Sequence, residues 1–312
     1  MTFKTVEVAG IEWLRHATAL LQRVRISDPH IGIWEAADVQ WWWRRSRASD
    51  QLEQTFWLDE DGPVASVLMT EWGTKWQLDP VAIPDLVPTL VPTAWEAALH
   101  RMSELPIANL EVLCRDDDSL MIGLLAAAGF EASEESGGVT WMAADSAPPV
   151  AELPSGYRLI DRTVHSSPTH WLTHRNGQDL ESRLAECSLY DPELDMAIQT
   201  TDGDIAAYGL FWFDAATSVG LIEPMRTEKA HQRRGLARAL IGEGLARLIA
   251  RGARRVKVGY ATEVARALYV SSGFDVTHTD RAYRLRLTNE PTRSNSPTAG
   301  SAGTPMAIGT LA

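Results

Sequence analysis

Residues 218–225 are apolar apart from Ser218 at the start and the pair Glu223-Pro224, and from Leu236 onward apolar side chains return at helical spacing, at Leu240, Ile241, Leu245, Leu248 and Ile249. The first stretch predicts a strand and the second an amphipathic helix. Gly252 stands where such a helix would end in a left-handed residue. The pattern then predicts a strand over 255–260, a short helix over 267–274 and a last strand through Tyr283, Arg284 and Leu285. Upstream, apolar runs at 55–59 and 63–72 flank Asp61-Gly62, and runs at 196–199 and 205–213 flank Asp202-Gly203. Each pair predicts a hairpin. Strands and helices in this order specify an α/β chain built on a mixed sheet, of α+β character.

The predicted helix at 236 opens on Gln232-Arg233-Arg234-Gly235-Leu236-Ala237-Arg238. A helix start presents unpaired backbone N–H groups and the positive end of a dipole, so a glycine-relieved turn among arginines suits a pyrophosphate. Two patterns accompany it: Glu223-Pro224 on the preceding strand, and Ala267-Leu268-Tyr269-Val270-Ser271-Ser272-Gly273-Phe274 on the following helix.

Over residues 157–288 this order of motifs resembles the GNAT superfamily of N-acetyltransferases. The resemblance implies acetyl-CoA as donor, with its pyrophosphate on the backbone amides of Gln232, Arg233, Arg234, Gly235, Leu236, Ala237 and Arg238. Ala237 takes the last small position of the family turn. The resemblance also implies Glu223 as general base for the acceptor amine and Tyr269 as acid toward the leaving thiolate. Backbone N–H groups at Met225, Arg226 and Thr227 would face the thioester carbonyl. Many relatives carry an asparagine that contacts the cofactor seven residues before the tyrosine; here Thr262 stands there, shorter and without an amide donor.

The first half repeats the second. Asp79-Pro80 precedes Glu223-Pro224 by 144 positions, Gly129-Phe130 precedes Gly273-Phe274 by the same 144, and Leu124 answers Leu268. A conserved offset predicts a tandem duplication, two GNAT-like domains in one chain. The expected division is a first copy over 1–146, a proline-rich linker over 147–156, a CoA-binding copy over 157–288, and a disordered tail over 289–312, rich in Pro, Ser, Thr, Gly and Ala. Applied to 232–238, the offset lands on 88–94, which holds two prolines and neither glycine nor arginine; applied to Tyr269, it lands on Leu125. The first copy is thus expected to be degenerate and to serve as structure or as a wall of the substrate cleft.

The remaining features narrow the function classes. The 312 residues carry a formal charge of −12, which argues against a nucleic-acid groove and would draw cationic amines. No long apolar run predicts a membrane span, and residues 1–10 lack the apolar core of a secretion signal, so a cytoplasmic protein is expected. Cys114 and Cys187 stand apart and suggest neither a disulfide nor a thiolate metal site. His165, His170 and His174 are close in sequence but are read as ordinary surface histidines, with no metal expected. Trp41-Trp42-Trp43, near Trp34 and before Arg44-Arg45, is read as a helix with one or two rings in the core and a third at the domain interface, in preference to an aromatic wall for a cation. Two functions remain: an N-acetyltransferase acting on a small-molecule amine, and a non-catalytic CoA-binding or protein-interaction module.

Overall fold

Each predicted hairpin forms around its Asp-Gly turn, and the same run of elements occurs twice. The computed structural model describes residues 3–164 and 169–287; His165 and the tail over 289–312 lie outside the described residues. The first half comprises β1 (Lys4–Val8), α1 (Gly10–Ser27), α2 (Ala36–Trp42), β2 (Gln54–Asp59), β3 (Gly62–Glu71), β4 (Trp76–Ala82), α3 (Val87–Ser103), β5 (Asn109–Arg115), α4 (Ser119–Ala127) and β6 (Glu131–Ala143). The second comprises β7 (Tyr157–Asp161), α5 (Thr173–Asn176), α6 (Leu180–Ala185), β8 (Asp195–Thr200), β9 (Ile205–Asp214), β10 (Val219–Thr227), α7 (Leu236–Ala250), β11 (Arg255–Tyr260), α8 (Glu263–Ser271) and β12 (Asp275–Arg286).

All twelve strands join one sheet in the order β1-β2-β3-β4-β5-β12-β6-β11-β10-β9-β8-β7. Among the described residues only β4 with β5 and β10 with β11 run parallel. The halves exchange their last strands. β12 lies against β5, Tyr283 opposite Val112, while β6 lies against β11, Trp141 opposite Lys257. The centre of the sheet is therefore built from both halves.

Three large apolar cores and a small fourth cluster, Val139, Trp141 and Val219, form among the described residues. On one face α3 and α4 pack over β3 to β5, with Trp95, Met102 and Leu125 buried, and α7 and α8 pack over β8 to β11, with Leu240, Leu245 and Tyr269 buried. The opposite face carries a core shared between the halves. There α1 turns Trp13, Leu14, Ala17, Leu20, Leu21 and Val24 inward at i, i+3, i+4 spacing. Trp171, Leu180 and Leu184 from the α5 and α6 region join them, together with Leu210, Trp212 and Leu221 of β9 and β10.

Two sequence expectations change here. All three tryptophans of the triplet are buried, and two of them reach the other half: Trp43 Nε1 donates to Glu186 at 2.6 Å, and Trp41 hydrogen bonds to Glu223. Trp42 packs edge-on against Trp34 at 4.9 Å. The constant offset also fails at the cradle. The β4–α3 connection spans 83–86, four residues, whereas the β10–α7 connection spans 228–235, eight residues. Residues 88–94 therefore lie inside α3, and the true counterpart of the basic turn is a shorter loop with Pro84 at its start.

Candidate active site

The site begins where two parallel strands part. β10 pairs with β11 only from Val219 opposite Arg255 to Leu221 opposite Lys257. Beyond that point the β10 edge facing β11 has no strand partner, and on its other side the pairing with β9 shifts register between Ile222 and Met225. Glu223 occupies this irregularity. In the first half β4 runs past Asp79 and Pro80 in unbroken register with β3.

At the C-terminal end of β10 the chain turns through Lys229–His231 into α7. Gly235 caps α7 with φ at +81°, and Arg233 is also left-handed at +63°. A Cβ built on Gly235 meets no atom within 4 Å, so the space above the helix start is open. That opening, with unpaired N–H groups below it, fits a pyrophosphate. The turn is braced by its own side chains: Arg234 donates to Tyr157 Oη at 2.9 Å, Tyr157 Oη lies 2.9 Å from His231 Nδ1, and Gln232 Nε2 donates to the Thr227 carbonyl at 3.3 Å. Arg238 reaches Ser271 of α8 at 3.4 Å. Arg233 is exposed, Leu236 is buried and Ala237 is half-buried beneath the turn.

Glu223 is half-buried on the sheet face that carries the shared core, under α2 of the first half. Burial chiefly, and then the like charge of Asp38, push its carboxyl up to about 7; Arg44, Lys257 and the hydrogen bond from Trp41 act against them. Its carbonyl accepts from Trp212 Nε1 at 2.7 Å. Behind it lies a buried charge network. Lys257 sits 3.3 Å from Asp38 and 3.4 Å from Glu35, and Glu35 forks with Arg25 at 2.5 and 2.9 Å. Lys257 also donates to the Ile33 carbonyl. A carboxyl poised near 7 exchanges a proton readily at neutral pH, which is the property a general base needs.

Residues 161–274 match the Acetyltransferase (GNAT) family model. This part of the chain is a GNAT-family domain. No curated protein sequence matches the chain significantly. Among solved structures, a GCN5-related N-acetyltransferase from Sphaerobacter thermophilus superposes with a TM-score of 0.58 at 21% identity, over 90% of this chain and 95% of that one. A tandem GNAT protein from the clavulanic acid biosynthesis pathway gives 0.65 at 14% identity, over 91% and 98%. A putative acetyltransferase from Pyrococcus horikoshii gives 0.54 at 11% identity, over 92% of each chain. The fold is that of a tandem GNAT protein.

Within the GNAT domain, Tyr269 is fully buried in α8, on the α7 side of the sheet, with its ring 6.0 Å from that of Phe274. Glu223 lies on the other side, so the two residues stand on opposite faces of the sheet. Thr262 caps α8, its hydroxyl oxygen accepting from Ala265 N at 3.1 Å. Met225 is buried, while Arg226 and Thr227 pair with Tyr208 and Ala207 of β9.

The histidine expectation needs correction. His170 is buried, not on the surface, because Nε2 holds Asp195 at 2.6 Å. It precedes α5, so it shares no helix face with His174. Among the described residues no cluster has the makings of a metal site. Sequence reasoning also missed Asp38, Arg44 and Lys257 around Glu223. Lys257 left one signal, a lysine inside the apolar strand Arg-Val-Lys-Val-Gly-Tyr.

Proposed function

We propose that the chain is an N-acetyltransferase that moves the acetyl group of acetyl-CoA to the amine of a small molecule. The observation that supports this most is a glutamate carboxyl raised to about 7 at the mouth of an opened strand pair, beside a helix start suited to a pyrophosphate. Bound acetyl-CoA supplies an activated thioester carbonyl. Glu223 takes the proton that the amine must lose to attack, directly or through water. On the β10 edge turned away from β9, the backbone N–H groups of alternate residues, Met225 and Thr227, orient the carbonyl, while Arg226 between them turns its N–H toward β9. Tyr269 donates a hydrogen bond, and then its proton, to the sulfur as the C–S bond breaks and negative charge develops there. As the C–N bond forms the C–S bond breaks, leaving an amide and a free thiol.

On this proposal residues 157–287 act, and the first half roofs the base with Trp41 and Arg44. The donor's compartment makes the protein cytoplasmic on the same proposal; no described helix is long and apolar enough to cross a membrane. The test has two parts. Calorimetry should give one CoA per chain, because the first half's counterpart of the glycine turn is the four-residue loop 83–86, which holds no glycine, and a screen of small amines with acetyl-CoA should release thiol. CoA binding without thiol release from any amine would leave a CoA-binding module instead.

A further inference from the structure

A cleft of about 450 Å³ opens where α2 of the first half meets α5 of the second. Its walls include Arg45, His174, Arg175, Asn176 and Asp179. Pockets of roughly 300–1,000 Å³ take small molecules.

The charge of this cleft runs against that of the chain. Arg45 is half-buried and makes no ion pair or side-chain hydrogen bond among the described residues. Arg175 and Arg226 share one carboxylate, Glu228, at 3.0 and 3.3 Å, and Arg175 keeps a buried Nε without a hydrogen bond. Arg44 stands behind the wall, its Nε on Asn176 Oδ1 at 2.7 Å. Asp179 is already engaged by the backbone N and hydroxyl of Ser46 at 3.0 and 2.9 Å. Two arginines, Arg45 and Arg175, thus line the cleft against one carboxylate, Asp179, with Arg44 behind the wall and Arg226 beside Arg175 on Glu228, in a chain whose formal charge is −12. A concentration of cations against the global sign marks a place where an anion is held.

The cleft also adjoins the base. Arg44 connects Asn176 in its wall to Glu223, on whose carboxyl it acts electrostatically. Arg175 grips Glu228, five positions beyond Glu223 and just past the end of β10. An acceptor whose amine lies at Glu223 would extend its other end toward Arg45 and Arg175. Guanidinium forks bind carboxylate and phosphate through paired hydrogen bonds.

We infer that the acceptor is an acidic amine, with a carboxylate or phosphate group held by Arg45 and Arg175 in the cleft between the two halves. The inference rests on the acetyl-transfer proposal for the position of the amine, but the anion subsite can be tested without turnover. With the turn saturated by CoA, so that phosphate cannot bind there, tryptophan fluorescence is titrated at constant ionic strength with β-alanine, O-phosphoethanolamine and propylamine. At least one acidic amine should bind about tenfold more tightly than propylamine, and which one does separates carboxylate from phosphate. Arg45→Gln, at a side chain with no structural partner, should erase most of that preference, and Arg45→Lys should keep part of it. Equal affinity for propylamine, no saturable response to either acid, or an unchanged preference in Arg45→Gln would each overturn the subsite. Thiol release is scored separately, so a chain that binds acidic amines and never releases thiol refutes acetyl transfer and leaves the subsite standing.

Discussion

Replacing Glu223 by Gln keeps the shape of the side chain and an oxygen for the Trp41 hydrogen bond, and removes the proton acceptor. With the wild-type carboxyl held up to about 7, about half the molecules carry the free base at pH 7 and roughly a tenth at pH 6. With saturating acceptor, kcat should therefore rise along an acidic limb centred near 7 and drop about tenfold per pH unit well below it. Glu223→Gln should lower kcat at neutral pH by roughly 10²-fold or more and move the limb toward the pKa of the amine itself. CoA affinity should change less than about twofold, because the pyrophosphate rests on backbone groups of a different segment. The surrounding charges supply internal controls of opposite sign. Asp38→Asn removes a like charge, so the midpoint should move down, while Lys257→Met removes an opposite charge, so it should move up, each by about one unit. The assay is thiol release from about pH 5 to about pH 9 at fixed ionic strength. A limb centred at the ordinary glutamate value of 4.5, or a Gln variant with wild-type kcat, would refute the assignment of the base.

Gly235→Val should weaken CoA binding at least about tenfold by filling the open space over the turn and by forcing a β-branched residue to φ +81°, which costs about 1–2 kcal/mol of stability; an unchanged CoA dissociation constant counts against the cradle. Tyr269→Phe should cut turnover roughly 10²-fold with CoA affinity nearly intact and should displace any alkaline fall in rate, whereas wild-type turnover across pH would remove Tyr269 from the chemistry. Asp79, buried and held up to about 7 from 3.8 by loss of hydration, keeps its proton in the folded chain after the unfolded chain has released it. Stability should thus fall as pH rises from about 4 to about 7, by up to about 1.4 kcal/mol per unit from this group. Urea unfolding of Asp79→Asn should show a shallower fall, and parallel profiles for variant and wild type would contradict this origin of the slope.

The second half was the more legible in sequence because its elements carry local signals. The α7 stripe, the Gly252 stop and the Asp-Gly hairpins each depend on residues close together in the chain, and all appear where period and turn chemistry place them. The 144-residue repeat was also legible at α4 and α8, where Asp118 and Thr262 cap equivalent helices. It misled at the cradle because a loop four residues shorter changes the register between strand and helix while the order of elements stays the same. The surroundings of Glu223 could not be read at all. Asp38, Trp41 and Arg44 precede it by about 180 positions and reach it only because α2 crosses to β9 and β10. His170 failed for the same reason, since its burial depends on Asp195, 25 residues away on β8.

The exchange of last strands explains why a half without a phosphate turn would persist. β11 carries Lys257 and one wall of the strand gap, and its far edge is completed by β6 of the first half, from Arg255 opposite Ala143 to Tyr260 opposite Gly138. Without β6 that edge would present a row of unpaired backbone groups, and β12 would lose both its partners, β5 and β6. Close approach is built into this seam: a Cβ on Gly138 would meet the Tyr260 hydroxyl and the His278 carbonyl below 3.0 Å, so glycine allows β6, β11 and β12 to lie together. Loss of the first half would also take α2 away from Glu223, exposing the carboxyl to water and returning its pKa toward that of an ordinary glutamate. One duplicated unit can therefore lose its own ligand turn while it still determines the proton affinity of the other unit's carboxylate.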